Sequence, residues 1–225
     1  MPATVLKTDA DIHNDVMSEL TWDPRVDETE VGVQVDQGVV TLTGTVGSWA
    51  TRRAAEDAVR RVFGVLGVAD HLSVQPRGRL VRTDRDIEDS VRLALKWDAM
   101  VPDEMIHSTV ASGEVTLTGV VDRWSEREDA ERAVRNLAGV TRIVNRLTLA
   151  RGTASEGDIR RAIEGALARR AQREARRIDV DVAVDTVTVS GTVDTWREHE
   201  AVLASARYTP GVRDVVDRLR VDPYA

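Results

Sequence analysis

The sequence predicts an α+β protein of three tandem αββαβ modules, each with two helices packed on one face of a small mixed three-stranded sheet. Two observations lead to this prediction: one strand-like stretch occurs three times, and each copy has the same flanking pattern of apolar residues. The copies read GVVTLTGTVGSW from residue 38, GEVTLTGVVDRW from residue 113 and DTVTVSGTVDTW from residue 185. The modules are expected to span residues 8–75, 83–150 and 154–222.

An amphipathic helix is expected to open each module, because apolar residues at spacing i, i+4, i+8 share one helix face. The trios are Ile12, Val16 and Leu20; Ile87, Val91 and Leu95; and Ile159, Ile163 and Leu167. A Ser or Thr followed three residues later by Asp precedes each trio, which is the capping-box spacing. The pairs are Thr8 with Asp11, Thr83 with Asp86, and Ser155 with Asp158.

Two strands joined by a tight turn follow the first helix. Val31, Val33 and Val35 alternate with polar or small residues, and the turn near residues 36–38 leads into the repeated stretch, so the two strands form a predicted hairpin. Period two places the repeated glycine on the apolar side of the second strand. We therefore interpret Gly44, Gly119 and Gly191 as structural residues, which permit close approach of a helix or a bulge.

A second helix and a third strand complete each module. Small apolar residues such as Ala55, Ala58 and Val59 follow helical spacing, and a glycine then ends the helix before a strand that returns parallel. Three tryptophans fall in the first turn of this helix: Trp49, Trp124 and Trp196. They are interpreted as structural, covering the edge of the core, with an aromatic membrane or ligand anchor as the alternative.

Composition excludes several classes of function. The chain has 225 residues, no cysteine and a formal net charge of −7, so disulfides, thiolate metal sites and thiol nucleophiles are absent. No apolar run approaches the roughly 18 residues of a membrane span. The acidic balance and the scarcity of aromatic residues on basic strands disfavour nucleic acid. No histidine recurs between copies, and no acid–base pair or phosphate loop stands out, so no catalytic, cofactor-binding or metal-binding residue is predicted.

The repeated pattern resembles the BON domain, named for bacterial OsmY and nodulation proteins. The resemblance rests on D-I…V…L, GVVTLTGTV, the Ala-rich helix and G-V…V-x-x-L-x-V, in three copies from residue 8 to about 222. The chain resembles the triple-BON transport-associated proteins without a signal peptide. This resemblance implies an αββαβ fold and a non-enzymatic ligand-binding module. Better-known relatives are periplasmic, are linked to osmotic stress and envelope integrity, and in some cases bind anionic phospholipid.

The chain departs from those relatives in showing no export signal or lipidated cysteine, so a cytoplasmic protein, or one peripheral to the inner membrane, is expected.

One basic cluster distinguishes the third copy from the other two, which have acidic loops at the same place. Its members are Arg169, Arg170, Arg173, Arg176 and Arg177. It is a candidate anion- or lipid-binding site, with a solvated helix end as the alternative.

Two hypotheses of function follow. The first is a binding protein that contacts anionic phospholipid head groups in osmotic or envelope stress. The second is a protein-interaction scaffold that docks a partner, or a second copy, through the edges of its sheets.

Overall fold

The computed structural model describes residues 7–150, 155–170 and 178–224, and for residues 168–170 it describes the backbone alone. Within these ranges the chain forms three modules, each with two helices and a three-stranded mixed sheet. The predicted fold class is therefore confirmed.

The first module begins with helix α1. Its elements are α1 (Asp9–Trp22), β1 (Val31–Asp36), β2 (Val39–Val46), α2 (Trp49–Arg61) and β3 (Gly67–Val74).

The second module repeats this order about 75 residues later. Its elements are α3 (Asp84–Trp97), β4 (Ile106–Ala111), β5 (Glu114–Val121), α4 (Trp124–Arg135) and β6 (Arg142–Leu149).

The third module closes the described chain. Its elements are α5 (Glu156–Arg170), β7 (Ile178–Ala183), β8 (Thr186–Val193), α6 (Trp196–Arg207) and β9 (Asp214–Val221).

The three sheets share one topology. In the first, β2 is central, antiparallel to β1 and parallel to β3, with Leu42 opposite both Val33 and Asp70. The parallel return requires a crossover connection, which α2 supplies. Each first-helix trio is buried in its module's core, as its spacing predicts; Val16, for example, is fully buried beside Val40 and Leu42.

The first helix is tied to the hairpin turn by one carboxylate. Gln37 and Gly38 both have positive φ, so the turn has the type I′ geometry that suits a two-residue hairpin. Their N–H groups donate to the carboxylate of Asp9 at 2.9 and 2.8 Å. Asp84 accepts from the equivalent turn of the second module in the same way. The helix start and the turn therefore hold each other in place, next to a capping box at Thr8.

The repeated glycine has a different role from the predicted helix contact. Gly44 is exposed and has φ of +124°, and a Cβ there would collide with the carbonyl oxygen of Glu30. Gly119, with φ of +141°, would collide with the carbonyl of Met105, and Gly191 has the same backbone conformation at φ of +134°. A glycine is required because the backbone at this position has a positive φ and lies against the residue that precedes the partner strand. No α-helix contact is involved.

Candidate functional site

The predicted arginine site lies only partly within the described residues. Arg169 and Arg170 form the end of α5, whereas Arg173, Arg176 and Arg177 lie outside the described residues. The backbone position of Arg169 is informative, because it comes two residues after the last buried residue of its helix trio, Leu167.

Tryptophans occupy the same position in the other two modules. Trp22 follows Leu20 by two residues and is 84% exposed, and Trp97 follows Leu95 by two residues and is 80% exposed. Two residues correspond to about 200° around a helix, so these indoles point away from the core. Fully exposed tryptophans at equivalent sites are unusual, since burial of the indole removes a large apolar area from water.

Trp97 belongs to a wider apolar surface. Leu93 lies one helical turn before it and is exposed, and Met100 in the following loop is exposed as well. The Met100 N–H donates to the carboxylate of Asp98 at 3.0 Å, which fixes the loop that leaves the helix. We name the exposed residues Trp22, Trp97, Leu93 and Met100 the first-helix surface. Arg169 has the equivalent backbone position in the third module.

An ion pair with a buried carboxylate fixes the backbone next to Trp22. The Asp23 carboxylate accepts bonds from the Arg25 guanidinium at 2.9 and 2.7 Å, and Arg61 lies 3.5 Å away. Hydrogen bonding to Arg25 holds the pKa of Asp23 well below its usual range. The acid beside Trp22 is therefore neutralised within the protein, and the indole projects from a rigid helix end.

The three tryptophans that were predicted at the core edge lie at contacts between modules. Trp49 of the first module packs against the core of the second module, and Trp196 of the third packs against the core of the first. Trp124 of the second module lies within its own core, and Arg207 of the third module stacks over its ring at 5.6 Å.

The same kind of contact therefore links module 1 to 2, 2 to 3 and 3 to 1. Arg60 of the first module stacks over Trp196 at 4.8 Å, and it occupies the position that Arg207 has in the third module. A heterologous contact that closes on itself generates a ring.

The side chains of the second helices also meet residues of their own modules. Arg52 stacks over Trp49 at 5.2 Å and donates to Asp70, and Arg127 stacks over Trp124 at 4.6 Å. In the third module the equivalent residue is the buried His199, whose Nε2 lies 2.9 Å from Asp217. These contacts position the tryptophans for the neighbouring module.

The described residues hold no group of three His, Asp or Glu side chains that could bind a metal ion. Across the same part of the chain, none of the helices has the length and hydrophobicity that a membrane crossing requires.

Sequence reasoning missed Trp22 and Trp97. The available signal was a tryptophan on the polar side of an amphipathic helix, repeated in two copies. A search for apolar residues at helical spacing overlooks such a tryptophan, because it does not lie on the core face.

The fold and the contacts between modules define a class of modular protein in which three αββαβ copies pack into one ring. A model of the BON domain matches residues 8–76, 83–151 and 155–223. The chain belongs to the BON-domain family.

A curated relative and a solved structure extend this comparison. The chain is similar to osmotically-inducible protein Y of Escherichia coli (strain K12), with 29% identity over 143 residues, which cover 62% of this chain and 71% of the relative. It also matches the C-terminal domain of CdsD, a structural protein of the type III secretion system of Chlamydia trachomatis, at 13% identity. That match covers 96% of this chain and 100% of the other, but its TM-score of 0.25 is too low to support an argument.

Proposed function

We propose that the chain is a non-enzymatic binding protein that contacts anionic phospholipid surfaces through its first-helix surface, in osmotic or envelope stress. The observation that carries this proposal is the exposure of Trp22 and Trp97 at equivalent helix ends. Indoles are favoured at the boundary between head groups and acyl chains, because one side of the ring is apolar and the other can donate a hydrogen bond.

Charge supports the choice of an anionic surface. The third module has Arg169 where the other modules have the exposed indole; Arg170 follows directly, and three more arginines follow within the next seven residues. Each basic group near an anionic bilayer contributes about 1 kcal/mol of attraction. The chain as a whole is acidic, so a local basic cluster is needed to offset repulsion between protein and membrane.

The similarity to an osmotically inducible protein supports the link to stress. The relative's name states that osmotic conditions induce it, and we expect this chain to be needed under osmotic stress as well.

The double variant Trp22→Ser, Trp97→Ser tests the proposal on phosphatidylglycerol vesicles. We expect affinity to fall at least about tenfold per indole, because each loses apolar area buried in the interface. The matched control is Leu80→Ser, which removes a partly exposed apolar residue from the linker between modules 1 and 2. Co-sedimentation measures both variants, and equal losses would contradict the proposal.

A second arm tests the arginines. Replacing Arg169, Arg173 and Arg176 by glutamine should remove about 3 kcal/mol of attraction, or more than a hundredfold in affinity. The charge-matched control replaces Arg85, Arg218 and Arg220, which are exposed on other elements. If both triple variants lose binding equally, net charge alone explains the effect and the cluster is not a site.

A scaffold is the second candidate function. Among the described residues each sheet has only three strands, so β1, β4 and β7 each have one edge that no strand covers. Such edges can pair with a protein partner. A saturable protein partner that vesicles do not displace would favour this candidate.

A further inference from the structure

The contact between the third and first modules is of the same kind as the other two, but two of its side chains, Phe63 and Arg197, have no counterpart in them. We call it the closing seam, and it consists of Arg60 and residues 62–65 of the first module with residues 194–197 and Glu200 of the third. A groove of about 720 Å³ runs along it. We propose that this groove binds a small single-chain amphipathic anion, such as an alkyl phosphate.

The contact between modules 1 and 2 includes a backbone hydrogen bond that the closing seam lacks. There the backbone N–H of Trp49 donates to the backbone carbonyl of Val140 at 3.3 Å and joins the two modules directly. The equivalent residues at the closing seam are Trp196 and Val65, both within the described chain, and both line the groove without that bond. Among the described residues that bond is also missing between modules 2 and 3, so the feature that sets the closing seam apart is the identity of its side chains.

The floor of the groove is apolar. Val62, Val65, Phe63 and Trp196 line it, and Phe63 is 43% exposed. Residues equivalent to Phe63 are Ala138 and Pro210, so only the closing seam has an aromatic ring at this position. Tyr224 packs edge-on against Phe63 at 6.2 Å between ring centroids, which limits the freedom of the ring. Such a floor suits a short acyl or alkyl chain.

The rim supplies a cation for the head group. Arg197 lies in the first turn of α6 and is exposed, and among the described residues it forms no ion pair. Its equivalents are Ala50 and Ser125, so this guanidinium is also unique to the closing seam. A guanidinium binds phosphate oxygens with two parallel N–H bonds.

The acidic side chains of the rim are already engaged. Glu200 pairs with Arg60 at 3.4 Å, Asp57 lies 3.9 Å from Arg53, and Asp194 has a contact of its own. Among the described residues of the rim, Arg197 is therefore the cation that is available to bind an anion. Because it lies next to an apolar floor, the expected ligand has both an anionic group and an apolar chain.

Calorimetry with octyl phosphate, in the absence of any bilayer and below its micellar concentration, tests this site. We expect 1:1 binding, with much weaker binding of octyl glucoside and of inorganic phosphate, which lack the charge and the chain respectively. Arg197→Gln and Phe63→Ala should each weaken octyl phosphate binding about tenfold or more.

Two matched controls change an exposed arginine and an apolar residue of similar exposure to Phe63, both outside the groove and outside the first-helix surface. Arg85→Gln and Leu80→Ala are expected to leave octyl phosphate binding unchanged. Equal binding of octyl glucoside, or equal losses in the groove and control variants, would overturn the proposal.

This inference does not depend on the proposed function. The Trp22→Ser, Trp97→Ser variant should still bind octyl phosphate, and Arg197→Gln should still sediment with phosphatidylglycerol vesicles. Failure of one binding event therefore leaves the other interpretable.

Discussion

Replacing Trp196 by alanine is expected to reduce the free energy of unfolding by about 3 kcal/mol, at the low end of the range for loss of a packed tryptophan. The indole packs against the core of the first module and carries Arg60 on its face at 4.8 Å. Its removal takes away the apolar contact with the first module, widens the groove at the closing seam and leaves Arg60 without its aromatic partner. The third module should then separate from the first while its own sheet stays folded.

Urea unfolding measures the loss of stability, and hydrogen exchange at residues 62–65 reports opening of the seam. The control is Trp22→Ala, which removes an indole that is 84% exposed and should change stability by less than about 0.5 kcal/mol. Equal destabilisation by the two variants would show that Trp196 does not hold modules together.

Gly44→Ala is expected to destabilise the first module by at least about 2 kcal/mol. Two effects add: the backbone has φ of +124°, where a side chain costs about 1–3 kcal/mol, and the new Cβ collides with the carbonyl of Glu30. Relief of that collision requires backbone movement, because no flexible side chain is involved, and overpacking of this kind costs about 1–3 kcal/mol.

The matched control makes the same substitution three residues later. A Cβ at Gly47 would lie 3.5 Å from the Leu80 side chain, which is ordinary contact distance, so Gly47→Ala should have little effect. Thermal unfolding compares the two, and no loss of stability in Gly44→Ala would contradict the assigned backbone strain.

The modules could be predicted from sequence because their elements are local and repeated. The trio Ile12, Val16 and Leu20 and the alternation of Val31, Val33 and Val35 each obey one period, and three copies confirm each other. Of the two reasons predicted for the glycine, a close helix or a bulge, the close helix was wrong, because the backbone of Glu30 lies against Gly44 instead. Period two assigns Gly44 to a face of the strand, but it does not reveal that the backbone there leaves the extended region.

Contacts between modules could not be read from the repeats. Every copy carries the same tryptophan, so Trp49, Trp124 and Trp196 predict a shared role without stating which module each one meets. The differences between copies proved more informative. Phe63 and Arg197 depart from their equivalents, and these departures meet at one seam.

The candidate surface was predicted in part. The arginine cluster was identified from charge, and it stays a prediction because three of its members lie outside the described residues. Trp22 and Trp97 required the structure, since exposure of an indole depends on how the loop after each first helix folds back.

Binding of the unmodified protein to vesicles of two compositions tests the central claim most directly. Phosphatidylglycerol and phosphatidylcholine vesicles would be compared by co-sedimentation at low salt and then at physiological ionic strength, where exposed charges are screened over about 8 Å. The account predicts binding to phosphatidylglycerol that weakens steeply with salt, and little binding to phosphatidylcholine. Equal failure to bind both kinds of vesicle at low salt would contradict it.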